Sequence, residues 1–241
     1  MSTPAGAVYL VKNENIDTYK NEIEEADLLV CTPDIDMVRL DAINPGASRF
    51  LYFHSTAFPL YGVGNPVYDG YRMKMGPHYA KDASGMPVFN KKSDGTPWSV
   101  EIEFSLAAAE DLAEFIGSTM MLAGAAGVYL DQNFTSLPPW LQTLRNNPRD
   151  NKRWPHYVTH LIELIKLRGF PVIGNIGSPV EGKHHKHLDG ITIEEDRLIH
   201  GTMASKTFGK FLPANNVAWT DDDTWDFPFL CSRGYIFPDA R

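Results

Sequence analysis

Short runs of apolar residues, rich in β-branched and aromatic side chains, alternate along the chain with segments of helical period. The runs that predict strands are 8–11, 28–31, 50–54, 127–131, 171–174, 191–194, 217–219 and 234–237. Several of them are apolar at nearly every position, as in parallel strands that are covered by helices. The pattern therefore predicts a parallel sheet.

The segments between these runs predict helices. Ser105 is placed to cap a helix that continues to about Leu122, because apolar residues recur there at steps of three and four. A second helix is expected with Pro155 in its first turn and a left-handed stop at Gly169. Shorter helices are expected at 17–25 and 35–43.

Alternating strands and helices over 241 residues most simply form one (β/α)8 TIM barrel spanning 1–241. An open, doubly wound sheet is the alternative, but no GxGxxG sequence follows any of the runs. The stretch 55–104 after the third strand is rich in Gly, Pro, Tyr and Asp, and it is expected as an extended loop over the barrel mouth. No helical segment follows the eighth run, so the barrel is expected to lack its last covering helix.

Composition and charge narrow the class of partner. The chain has 22 Lys and Arg against 30 Asp and Glu, for a formal net charge of -8, and no basic block. Nucleic acid is therefore not an expected partner. No window approaches the ~20 apolar residues that span a bilayer, and the N-terminus lacks the basic region of a signal peptide. We expect a soluble protein with no membrane partner, either cytoplasmic or part of a virion or surface assembly.

Few residues suggest a metal, a cofactor or a disulfide. Cys31 and Cys231 both lie in apolar contexts and are expected as separately buried thiols. The histidine-rich run 183–187 is expected to be a basic loop, because no His-Glu-x-x-His or Cys-x-x-Cys sequence accompanies it. The aspartates 221–223 are interpreted as a turn. We predict no metal and no cofactor. No serine nucleophile elbow is present, so acyl-transfer chemistry is not predicted either.

The polar residues that close the strands are the candidates for chemistry, because reactive groups in such barrels lie at the carboxyl ends of the strands. Side chains alternate along a strand, so Tyr129 and Asp131 in GVYLD are expected to point inward. The same parity directs Glu194 inward in ITIEE. It also groups the strand-end residues Tyr52, His54 and Asn175.

Two carboxylates at one barrel mouth are the minimum requirement for glycoside hydrolysis. Asp131 lies on a polar Asp-Gln-Asn turn and is interpreted as the ionised nucleophile or charge stabiliser. Glu194 follows an apolar strand, a setting that raises a carboxyl pKa, and is interpreted as the proton donor. The alternative is structural: Asp131 caps the following loop and Glu194 pairs with a lysine.

Three segments resemble one enzyme family in their order and spacing. They are EADLLVCTPDIDMVRLDAINPGASRFLYFHS, the strand GVYLD and the later segment DGITIE. They resemble the TIM-barrel glycoside hydrolase family related to endo-α-1,4-polygalactosaminidases, over roughly residues 25–200, and Pro97-Trp98 is similar to a tryptophan-containing segment of that family. The resemblance implies a TIM barrel that acts on an α-linked or otherwise poorly defined polysaccharide. It also places Asp131 and Glu194 at the catalytic carboxylate positions.

Aromatic residues in the stretch 55–104 have two interpretations. Flat rings stack on sugar faces, yet an ordered loop of this length also needs rings for a small core of its own. The rings concerned are Tyr61, Tyr68, Tyr71, Tyr79 and Trp98. The predicted substrate-binding residues are Tyr52, His54, Tyr71, Trp98, Tyr129 and Asn175.

These patterns predict a glycoside hydrolase-like barrel that cleaves or binds a polysaccharide or oligosaccharide. The alternative is a non-catalytic carbohydrate-binding or structural subunit of a larger assembly such as a virion. In either case the uncovered apolar residues of the terminal strands predict contact with other protein chains, in a homo-oligomer or a larger assembly. The sugar, the linkage and the stereochemical course are left open.

Overall fold

The computed structural model describes residues 7–132, 137–175 and 187–192, together with the backbone of three two-residue strands nearer the C-terminus. Several residues discussed above lie outside this part of the chain: Glu194, Cys231, the aspartates 221–223 and all of the histidine-rich run except His187. Cys31 is described, and its thiol is buried and free.

The described strands are numbered in chain order. They are β1 (Ala7–Val11), β2 (Leu28–Cys31), β3 (Ser48–His54), β4 (Ala57–Pro59), β5 (Phe89–Lys91), β6 (Pro97–Glu101), β7 (Gly127–Asp131), β8 (Val172–Asn175), β9 (Gly190–Thr192), β10 (Ala218–Trp219), β11 (Trp225–Asp226) and β12 (Tyr235–Ile236). The described α-helices are α1 (Lys20–Glu25), α2 (Met37–Ile43), α3 (Pro66–Met75), α4 (Leu106–Ala123), α5 (Pro139–Arg145) and α6 (Asp150–Leu167).

The main sheet is parallel. Its strands lie in the order β12-β1-β2-β3-β7-β8-β9, and every neighbouring pair runs in the same direction. From β1 to β9 the order follows the chain without reversal, whereas a doubly wound sheet reverses at a switch point. The α/β class and the parallel sheet are thus confirmed, and the doubly wound alternative does not describe this order.

One predicted strand lies elsewhere. The run 217–219 was expected in the main sheet, but β10 pairs antiparallel with β11, with Trp219 opposite Trp225. A partner a few residues away costs less loop-closure entropy than a distant strand, and the apolar run is too short to distinguish the two outcomes.

Capping residues and glycines mark most of the ends of the two long helices, α4 and α6. Ser105 caps α4, since its hydroxyl accepts a hydrogen bond from the Ala108 N–H at 3.2 Å. Gly124 ends α4 with a φ of 62°, and Gly169 follows α6 with a φ of 88°. The prediction for Pro155 was wrong: α6 begins at Asp150, which Arg145 and Asn147 anchor by hydrogen bonds, so Pro155 lies inside the helix.

The stretch 55–104 is not an extended loop. It contains α3 and a three-stranded antiparallel sheet in the order β4-β6-β5. The chain reverses near Gly85 and Gly95, each with a φ of 84°. Strands of three residues are too short to show an alternating pattern, which explains why composition alone suggested a loop.

The core lies where the parallel sheet meets α4 and α6, which also pack against each other. Leu51 and Val128 from the sheet, Leu112 and Ile116 from α4, and Leu161 from α6 are fully buried. Each such side chain contributes roughly 1.5–3 kcal/mol through removal of apolar surface from water. In the part of the chain that the structure describes, no helix is long and apolar enough to cross a membrane.

Candidate functional site

Strands β3 and β7 place four polar or aromatic side chains at one sheet edge. Their register sets Tyr52 beside Tyr129 and His54 beside Asp131. Gly127 makes this register possible, because a Cβ atom there would clash with the Phe50 ring. The carboxyl ends of parallel strands carry the reactive groups in α/β barrels, so this edge is the candidate active site.

The Asp131 carboxylate is the centre of the arrangement. Its Oδ1 accepts hydrogen bonds from the Asn175 side-chain amide at 2.8 Å and from the Gln132 N–H at 2.7 Å. Its Oδ2 accepts a hydrogen bond from the Tyr52 hydroxyl. An ionised carboxylate only accepts hydrogen bonds. Neutral donors on both oxygens therefore suit a carboxylate and fix its orientation.

His54 supports Tyr52 from the other side. The His54 Nε2 atom lies 3.2 Å from the Tyr52 hydroxyl oxygen. Since the Tyr52 proton is donated to Asp131, Nε2 carries the proton of a neutral imidazole and donates it to Tyr52. The His54 Nδ1 atom then lies 3.8 Å from Asp131 Oδ2. It is buried and has no hydrogen-bond partner among the described residues.

Burial keeps both supporting side chains uncharged. It lowers the pKa of His54, although the neighbouring Asp131 carboxylate acts in the opposite direction. Burial also raises the pKa of Tyr52 well above its usual value, and Asp131 raises it further. Within the described residues no lysine or arginine pairs with Asp131, whose side chain is 14% exposed. The carboxylate therefore has no cationic partner in this part of the chain.

A cleft of about 400 Å³ opens beside Tyr52 and His54, on the side of β1 and β2. Lys12 and Asp34, which follow these strands, line it. Asp34 accepts hydrogen bonds from the Asn65 amide at 2.9 Å and the Tyr68 hydroxyl at 3.1 Å. Lys12 and Asp34 are not among the residues predicted from the sequence, although the same strand-end rule applies to both.

A second cleft, of about 600 Å³, lies on the side of β5, β6 and α5. We call it the tryptophan groove. Its lining includes Phe89, Lys91, Trp98, Gln132, Trp140 and Leu144. The Trp98 ring is partly exposed, and its centroid lies 5.7 Å from that of His54. The two clefts therefore flank the strand ends that carry His54 and Asp131.

Two of the aromatic residues selected from the sequence are buried. Tyr129 is 1% exposed and stacks on Tyr52 at 5.8 Å. Tyr71 is 2% exposed, stacks on Phe115 at 4.6 Å and directs its hydroxyl to backbone carbonyls. Tyr71 thus joins the main core and packs the stretch 55–104 against α4, so its side chain supports the fold.

The second predicted carboxylate, Glu194, lies outside the described residues. The backbone of β9 is described to Thr192, whose Cα is in register with Asn175 of β8. Thus β9 lies two strands from β7. The described residues also contain no group of three His, Cys, Asp or Glu side chains placed to hold a metal ion.

By sequence, the chain matches no protein family model and no curated protein. Among solved structures it is similar to a variant of the glycoside hydrolase domain of PelA from Pseudomonas aeruginosa. The TM-score is 0.50 at 10% identity, over 92% of this chain and 72% of that chain. It is also similar to Ega3 from Aspergillus fumigatus in complex with galactosamine, with a TM-score of 0.49 at 12% identity, over 87% and 73% of the two chains.

A third similar structure is TtGalA, an alpha-galactosidase from Thermus thermophilus, in complex with stachyose. Its TM-score is 0.48 at 11% identity, over 79% of this chain and 44% of that chain. At such identities similarity concerns the fold alone. The chain shares its α/β fold, built on a parallel sheet, with the PelA glycoside hydrolase domain.

Proposed function

We propose that this protein is a glycoside hydrolase that cleaves a polysaccharide and that Asp131 is its nucleophile or charge stabiliser. One observation carries the proposal: a carboxylate at the carboxyl edge of a parallel sheet is oriented by neutral donors and lies between two clefts. Glycoside hydrolysis passes through an oxocarbenium-like transition state. Among the described residues the donors to Asp131 are neutral, and a carboxylate oriented in this way can stabilise that positive charge.

The neighbouring side chains have positioning roles in this proposal. The Tyr52 hydroxyl and the Asn175 amide hold one Asp131 oxygen each, and His54 orients the Tyr52 hydroxyl. Preorganised donors of this kind cost little reorganisation during the reaction. The buried Tyr129 ring stacks on the Tyr52 ring and supports its position.

Glu194 is proposed as the proton donor. Two strand spacings of ~4.8 Å separate β7 from β9, or roughly 10 Å between backbones. Inward side chains shorten this toward the ~5–5.5 Å of retaining and the ~6.5–9.5 Å of inverting hydrolases. Both stereochemical courses are compatible with that spacing, so no course is proposed.

We further propose that the sheet closes into a (β/α)8 barrel and that 1–241 forms a single domain. The uninterrupted strand order from β1 to β9 supports this proposal, because barrels are wound in chain order. The stretch 55–104 then forms a wall at the barrel mouth, since both of its neighbouring clefts lie at that edge.

The proposal is tested by incubating the purified protein with a panel of polysaccharides and measuring new reducing ends. Once a substrate is known, Glu194→Gln should abolish turnover of substrates with poor leaving groups and spare activated aryl glycosides, which need no proton donor. Binding without any release of reducing ends would contradict hydrolysis and favour a carbohydrate-binding subunit.

A further inference from the structure

The tryptophan groove has two facing walls of different origin. One wall comes from β5 and β6 and includes Trp98. The other comes from α5, where Trp140 and Leu144 lie four residues apart on one helix face. Trp140 is 52% exposed although it is large and apolar. The neighbouring face of α5, with Leu141 and Arg145, is buried.

A buried network holds the two walls together. Arg145 donates one hydrogen bond to Glu101 at 2.8 Å and another to the Ile102 carbonyl at 2.6 Å, both at the end of β6. Glu101 also accepts a hydrogen bond from Asn90 of β5. Arg145 is 1% exposed and contacts Asp150 at 2.7 Å. Buried contacts therefore fix the position of α5 relative to β5 and β6, which carry the two walls.

The groove is continuous with the candidate active site through Gln132. This residue lines the groove, and its N–H donates to Asp131. Its φ of 62° is in the left-handed region. Two further contacts hold it there, because its backbone and side-chain oxygens accept hydrogen bonds from Ser55 and Thr56. A ligand in the groove would consequently extend toward the Asp131 carboxylate.

The lining fits the chemistry of a sugar chain. Pyranose rings present apolar C–H faces and polar edges. Two indole rings offer flat apolar surfaces with a polar N–H, while Lys91, Gln132 and Asp82 offer hydrogen-bonding groups at the rim. A volume of about 600 Å³ lies within the ~300–1,000 Å³ of typical ligand clefts.

We propose that the tryptophan groove is a carbohydrate subsite that holds sugar units beyond the cleaved bond, with Trp140 as its stacking platform. The inference rests on the proposed function for its position relative to the cleaved bond. It makes a separate claim about binding: longer oligosaccharides gain affinity from this groove and shorter ones do not reach it.

The experiment uses an array of neutral, acidic and amino-sugar oligosaccharides in short and long forms. Binding is measured with Asp131→Asn protein, which leaves the ligands intact. Adding Trp140→Ala should weaken binding of the long ligands about tenfold, as for an aromatic anchor, and leave the short ones unchanged. Trp140→Phe should restore most of the affinity. Met121→Ala, at an exposed apolar position of α4, is the control and should change neither.

A second measurement needs no variant that perturbs the groove. In NMR spectra of the Asp131→Asn protein, the indole N–H signals of Trp98 and Trp140 should shift on addition of a long oligosaccharide, and that of the fully buried Trp154 should not. Three results would each overturn the inference. They are Trp98 and Trp140 signals that do not shift, an affinity for long ligands that is equal after Trp140→Ala, and an array of which no member binds. Absence of reducing-end release by the wild-type protein would instead overturn the proposed hydrolysis, and retained turnover in Asp131→Asn would overturn the assignment of Asp131. Either outcome leaves the groove result to stand.

Discussion

Asp131 ends β7 and Glu101 ends β6, and these two carboxylates differ in their partners. Glu101 is completely buried and accepts hydrogen bonds from Arg145 and Asn90. Asp131 is partly exposed and accepts hydrogen bonds from neutral donors such as the Tyr52 hydroxyl. A buried arginine satisfies a carboxylate and joins two elements. Neutral donors orient a carboxylate and leave its charge available to a substrate.

The difference shows that a strand-end carboxylate acquires its role from its partners. Both residues follow apolar positions, in SVE and in YLD. The partner of Glu101 is Arg145, 44 residues further along the chain, and no local pattern announces it. The Glu101–Arg145 pair matters for the stability of the fold, because it links the sheet β4-β6-β5 to α5.

The largest expected effect on stability comes from breaking this pair. Arg145→Ala leaves Glu101 and Asp150 buried without their cation, and removing one partner of a buried ion pair costs about 3–5 kcal/mol. The free energy of unfolding in urea measures the loss. Lys74→Ala, which removes a partly exposed ion pair with Asp111, is the control and should cost at most about 1 kcal/mol. Equal losses for the two variants would contradict the contrast drawn here.

The stability of the folded protein should depend on pH through Glu101. Burial raises the pKa of Glu101 from 4.5 to about 7, although Arg145 acts against this rise. The folded protein then holds this proton more tightly than the unfolded chain does. The stabilisation is complete below about pH 4.5 and is lost as the pH rises through about 7.

Urea unfolding of wild type and Glu101→Gln across this range isolates the contribution of Glu101. We expect the free energy of unfolding of wild type, relative to the variant, to fall by about 3 kcal/mol as the pH rises. The variant has no proton to lose at this position. Parallel pH profiles for the two proteins would show that Glu101 has the same pKa in the folded and unfolded states.

A smaller effect is expected from the hydroxyl that orients Asp131. Tyr52→Phe keeps the ring on Tyr129 and removes one hydrogen bond to a carboxylate, worth about 1.5–3 kcal/mol. Turnover should fall about 10- to 100-fold. Tyr157→Phe, which removes a buried hydroxyl bonded to the Ser55 carbonyl at 2.8 Å, is the matched control. It should lower stability comparably and leave turnover nearly unchanged, and equal turnover losses would refute a special role for Tyr52.

Local signals explain what could be predicted from the sequence. The alternation of side chains along each strand needs no long-range information, and it grouped Tyr52, His54 and Asp131, which the structure brings together. The Ser105 cap and the stop at Gly169 are equally local.

Very short strands and contacts between residues far apart in the chain could not be predicted from the sequence. The strands of the inserted sheet hold three to five residues, too few for a periodic signal. The role of Trp140 depends on α5 being anchored through Arg145 at its far end. The packing of Tyr71 on Phe115 of α4 also joins residues far apart in the chain, and no local pattern in the sequence indicates it.

Turnover by Asp131→Asn is the most direct test of whether Asp131 is the reacting carboxylate. Reducing-end release from the best polysaccharide of the panel is compared between wild type and this variant at equal concentrations of folded protein. We expect turnover to fall by about 10³-fold or more, with the free energy of unfolding changed by no more than about 1 kcal/mol. Turnover within about tenfold of wild type would contradict the assignment of Asp131 as the reacting carboxylate.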